Sequence, residues 1–91
     1  EIENKIADVE VFPQPVTDES NVRFIVKKKC NVQFCFTDAM GRLIENSQSS
    51  VYETGEHFLP VDWKKLTNPG VYFLLIKSNN LLISKKIIIL K

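Results

Sequence analysis

Two runs of strict alternation on either side of a lysine cluster constrain the fold of this chain more than any other feature. In Val22-Arg23-Phe24-Ile25-Val26-Lys27, the residues Val22, Phe24 and Val26 share one side, with Arg23 and Lys27 opposite. This follows because successive side chains of an extended chain point to opposite faces. In Val32-Gln33-Phe34-Cys35-Phe36-Thr37, the set Val32, Phe34 and Phe36 alternates in the same way. Lys28-Lys29-Cys30-Asn31 makes the return between them. The two runs read as a half-buried hairpin whose six apolar residues point into a core.

Further short strands follow, separated by turn signals at the spacing of an antiparallel sandwich. Ile6 to Phe12 is a first strand, ended by Pro13 and Pro15, which cannot donate to a central ladder. Thr17-Asp18-Glu19-Ser20-Asn21 turns the chain. At Asp38-Ala39-Met40-Gly41 the aspartate can accept a backbone N–H bond and the glycine can take positive φ. Leu43-Ile44 starts a strand that fades through Asn46-Ser47-Gln48-Ser49-Ser50 and resumes weakly at Val51-Tyr52, as an edge or a long loop would. His57, Leu59 and Val61 share the next face, and Asp62 caps a single helical turn that places Trp63 and Leu66 over the end of the sandwich. After the Asn68-Pro69-Gly70 turn, residues 71–77 and 81–90 form a closing hairpin through Ser78-Asn79-Asn80. Tyr72 stands where the tyrosine corner of immunoglobulin-like sandwiches would bond backbone a few residues upstream. The expected fold is an all-β, immunoglobulin-like antiparallel β-sandwich of six or seven strands.

A chain of 91 residues makes one domain, since this length buries only about 60–65% of its unfolded surface and leaves no material for a second core. The net charge of +1 gives no general pull toward nucleic acid or an anionic membrane. Lys27-Lys28-Lys29 lacks interleaved aromatics and sits at a hairpin tip, so it reads as a solvated charge run and not a nucleic-acid patch. The longest apolar stretch, Ile87 to Leu90, is far below the ~20 residues that span a bilayer, so membrane embedding is not expected. The start Glu1-Ile2-Glu3-Asn4-Lys5 has no initiating Met and no signal peptide, as expected of a C-terminal piece of a longer protein.

The inventory for catalysis is poor. His57 is the sole histidine, and no serine or cysteine stands at a motif spacing to pair with it. Cys30, Cys35 and His57 fall short of the four ligands of a structural zinc site, and Asp18-Glu19 lacks a calcium loop around it. Gly41, Gly55 and Gly70 are isolated, so no phosphate-cradling loop is present. Neither enzyme activity, metal nor cofactor is expected. Cys30 and Cys35 lie on opposite faces of one strand, roughly 16 Å apart along it. That exceeds disulfide reach, so two free thiols are expected.

Three segments together resemble the C-terminal sorting domain of the type IX secretion system, type A, over roughly residues 9 to 91: Phe12-Pro13-Gln14-Pro15, Asp38-Ala39-Met40-Gly41-Arg42, and Leu66 with Gly70-Val71-Tyr72. The family's first motif is usually Pro-Asn-Pro, and glutamine at position 14 makes the short Asx-type turn bond less readily. The resemblance implies that residues 1–8 are a linker to an upstream cargo and residues 9–91 the sorting domain. It implies passage through the periplasm, recognition by an outer-membrane translocon, and delivery to the surface or medium of a Gram-negative bacterium. A sortase-like cysteine peptidase commonly removes the domain there, although some translocon components keep it. Family members also carry basic residues at the end of the chain. The resemblance therefore makes Arg42, Lys85, Lys86 and Lys91 the candidates for translocon recognition, with Pro13, Pro15, Asp38, Gly41, Gly70 and Tyr72 shaping the turns that present them. Without the resemblance, edge lysines would serve equally well to block aggregation.

The closing hairpin is apolar on both faces, with Val71, Phe73 and Leu75 opposing Tyr72, Leu74 and Ile76, and with Ile87 and Ile89 opposing Ile88 and Leu90. A two-layer sandwich has one core face per sheet, so one stripe needs a cover, which a loop, a second copy or a receptor could supply. The stripe assigned to partner binding or self-association is Val71, Phe73, Leu75, Ile87 and Ile89. The rival reading is a fibronectin type III-like module that holds protein or carbohydrate, for which Trp63 and Tyr52 would have to form an aromatic platform.

Overall fold

A computed structural model describes residues 5–47, 49–59, 61–66, 68–78 and 81–90. Among the described residues eight strands form, in the order β1 (Ile6–Phe12), β2 (Asn21–Val26), β3 (Cys30–Asp38), β4 (Leu43–Asn46), β5 (Ser50–Tyr52), β6 (Gly55–Leu59), β7 (Gly70–Ser78) and β8 (Leu81–Ile89). One sheet runs β1-β2-β6, and the other runs β4-β3-β7-β8 with β5 also paired to β3. Every ladder is antiparallel. The sandwich is as expected, with eight strands where six or seven were predicted. The difference arises where the fading strand splits: Ser47 bonds Phe34 through its N–H and its hydroxyl, β4 ends, and β5 resumes the pairing with β3.

β1 takes in Ile6, Ala7 and Asp8 of the segment expected to lead in from a cargo, and Ile6 is fully buried. An extra residue sits in β1 between Ala7 and Glu10, where Asp8 takes a φ of +52°. Aspartate tolerates this left-handed conformation because its short polar side chain bonds locally.

Val22, Phe24, Val26, Val32, Phe34 and Phe36 are all buried and form one cluster with Tyr72, Leu74, Ile76, Ile87 and Ile89. Asp62 accepts a bond from Lys64 N–H and caps a 3-10 turn, Trp63–Lys65, that lays Trp63 over Phe36 at a ring separation of 5.6 Å. The buried indole Nε1 donates to the Ser20 carbonyl at 2.8 Å, which ties this turn to the loop before β2. Glu45 on β4 and Lys65 pair at 2.8 Å. Lys65 lowers the Glu45 carboxyl and Glu45 raises the Lys65 ammonium, chiefly through that hydrogen bond. On the outer face of the smaller sheet Arg23 bonds both Glu10 and Glu56. Cys30 and Cys35 are buried and unbridged.

Candidate functional site

The Asp38 turn is closed by its own first residue. Gly41 N–H donates to the Asp38 carbonyl at 3.0 Å, and Asp38 Oδ1 accepts from the N–H groups of Met40 and Arg42, each at 2.9 Å. Asp38 Oδ2 accepts from Arg42 Nε at 2.8 Å. These bonds favour the carboxylate, so Asp38 lies below its ordinary value, with the Arg42 N–H as the largest cause. Gly41 takes a φ of +86°, which glycine adopts without a Cβ penalty. The result divides the labour within the motif. The Asp38 side chain is 16% exposed and committed to the turn, whereas that of Arg42 is 79% exposed.

The second turn is closed by Tyr72, whose hydroxyl donates to the Asn68 carbonyl at 2.6 Å, as expected of a tyrosine corner. Gly70 opens β7 at a φ of +143°. Because Asp38 pairs with Tyr72 across β3 and β7, the two turns lie side by side at one end of the larger sheet. They line a single groove of about 560 Å³, with Met40, Leu43, Ile44 and Val71 in its walls.

The Pro13–Pro15 turn reaches the same end by another route. Ser20 Oγ donates to the Pro13 carbonyl at 2.9 Å and closes the loop where an Asx bond would have done so. Gln14 turns instead to the edge of β8: its Nε2 donates to the Lys86 carbonyl and its Oε1 accepts from Ile88 N–H, both at 3.2 Å. Val16 N–H then donates to the Ile88 carbonyl at 2.8 Å, and Val16 bridges in parallel to Ile89. Since Ile89 pairs with Gly70, all three motifs meet around the end of β7 and β8.

The basic residues are not one patch. Lys86 pairs with Phe73, Phe73 with Thr37, and Thr37 with Leu43, so these four form a row across the outer face of the larger sheet. Lys85 pairs with Leu74 and belongs to the opposite face. Lys91 lies outside the described residues. The apolar stripe also needs correction. Val71, Phe73 and Leu75 are half-buried on the outer face, but Ile87 and Ile89 are fully buried in the core and cannot meet a partner. Their places on the outer face are taken by Ile88 and Leu82 on β8, with Leu43 on β4. Alternation located both faces of β8 but could not say which one the other sheet would cover.

The aromatic platform of the rival reading is not formed by Trp63, which is buried. Tyr52 packs edge-on against Phe24 and His57 at 5.3 and 5.0 Å. His57 Nε2 lies 2.7 Å from the Glu53 carbonyl. Among the described residues no three His, Cys, Asp or Glu side chains cluster as metal ligands, and no helix is long and apolar enough to cross a membrane.

A family model described as the secretion system C-terminal sorting domain matches residues 10–90. The chain belongs to this family. Comparison with curated proteins gives no match. As a type IX sorting domain it implies export of its parent to the cell surface or medium of a Gram-negative bacterium, and an interaction with the type IX secretion system. The three motifs that carry the family resemblance are the three turns gathered at one end of the sandwich.

Proposed function

We propose that the sorting domain is a folded transport address, read in the periplasm by the outer-membrane translocon through the end of the sandwich where its three turns meet. The observation that carries this reading is the convergence itself: segments near residues 40 and 70 line one groove, and the segment near residue 13 bonds the neighbouring end of β8. Among the described residues, Arg42 beside the groove and Lys86 on the outer face are exposed cations. Asp38, Gly41, Gly70 and Tyr72 act through the backbone they fix, while Pro13 and Pro15 hold Gln14 toward β8. The domain carries no chemistry of its own in this reading, and a sortase-like peptidase at the surface releases the cargo from it.

The test is a fusion of residues 1–91 to a periplasmic reporter in a type IX-competent cell. The reporter is expected at the surface or in the medium, and in the periplasm when the translocon is deleted. A folded fusion that stays in the periplasm of the competent cell overturns the proposal.

A further inference from the structure

We propose that the groove between the Asp38 and Asn68 turns receives an acidic, apolar-flanked segment of the translocon protein that reads the domain. This rests on the sorting reading and names the chemistry of its partner. Two properties of the groove select that occupant. Its walls are apolar and open, with Met40 82% and Leu43 60% exposed beside Ile44 and Val71. A volume of about 560 Å³ admits one or two large side chains and lies within the range of ordinary ligand clefts.

The two charged groups of the groove also differ in how much hydrogen-bonding capacity they have left. Among the described residues lining it, Arg42 is the only base and Asp38 the only acid. Asp38 has both oxygens engaged inside its own turn. Arg42 spends its Nε on Asp38, which fixes the guanidinium plane, while its two Nη nitrogens bond no other described residue. An oriented guanidinium with a free Nη edge matches a carboxylate. Lys86 lies on the same outer face as Leu43 but about three strand spacings, roughly 14 Å, away, so its charge is largely screened at the groove and the selection falls to Arg42. A cationic partner would face the exposed guanidinium of Arg42, and a purely apolar one would cover its Nη edge without offering an acceptor.

The test uses the reporter fusion in competent cells, with Met40→p-benzoylphenylalanine as the photo-crosslinking probe and mass spectrometry of the trapped peptide. The expected product is a translocon peptide with Asp or Glu among apolar residues. A peptide without an acid, a second copy of the domain, or no product from an exported fusion overturns the assignment. Two further variants read the charge. Met40→Glu, at an open turn position, and Arg42→Gln, which can still donate to Asp38, are each expected to lower surface reporter about tenfold or more, the scale of an interface hot spot. Arg42→Lys is expected to keep most of it. Export of Met40→Glu and Arg42→Gln at the parent level defeats the groove assignment alone, whereas failure of the parent fusion defeats the sorting reading.

Discussion

The inner and outer faces of the β7–β8 hairpin are both rich in large apolar residues, yet they differ in what covers them. Tyr72, Leu74, Ile76, Ile87 and Ile89 face the other sheet and are buried. Val71, Phe73 and Leu75 face outward beside Ile88 and Lys86, half-covered or open. The inner face gains the full transfer of apolar area out of water together with close contact on all sides. The outer face gains only what neighbours in the same sheet provide. One strand pair can thus hold the fold together on one side and remain open on the other. The separation is already built into the two-residue period.

Truncating one side chain on each face should separate the two. Leu74→Ala is expected to cost about 2–5 kcal/mol in denaturant unfolding. Leu82→Ser, at a side chain 58% exposed, should stay within about 0.5 kcal/mol. Equal losses would mean that the outer face is covered after all. Next in size is Gly41→Ala, which places a Cβ on a residue at a φ of +86° with no atom nearby to clash. The cost is then conformational alone, about 1–2 kcal/mol, and a neutral result would show the turn relaxing to another shape.

Tyr72→Phe keeps the inner-face packing and removes the bond to the Asn68 carbonyl, so about 0.5–1.5 kcal/mol should be lost. A larger loss would make the corner part of the core and not only of the turn. The smallest effect is a pH dependence. The folded Asp38 carboxyl lies below its ordinary value of 3.8, so the stability it contributes is present above that value and disappears as pH falls through the lowered folded one. Acid titration of Asp38→Asn beside the parent should show a flatter loss over that window. Identical acid limbs would assign the whole effect to other carboxylates, such as Glu45, which is lowered in the same direction by Lys65.

Most of the fold was legible because its signals are local. The alternation at 22–27 and 32–37 specified a core hairpin, since a side chain's face depends only on its place in the strand. Asp38, Gly41 and Tyr72 specified their turns through bonds that span four residues or fewer. The opposition of Lys85 and Lys86 was equally readable, since adjacent residues of a regular strand point to opposite faces.

Three other features depend on contacts between segments far apart in the chain. Alternation divides a strand into two faces but carries no sign, so the burial of Ile87 and Ile89 depended on which side the β1-β2-β6 sheet would take. Gln14 was readable as a departure from a local turn, but its partners on β8 lie 72 and 74 residues away, and a bond of that separation has no local signature. The groove exists only because the β3–β7 register sets Asp38 beside Tyr72. Local sequence was enough to specify the strands and the turns. Which of these became neighbours was left to the long-range pairing that closes the sandwich, because backbone hydrogen bonds between distant strands form only when both sheets bury their apolar faces together.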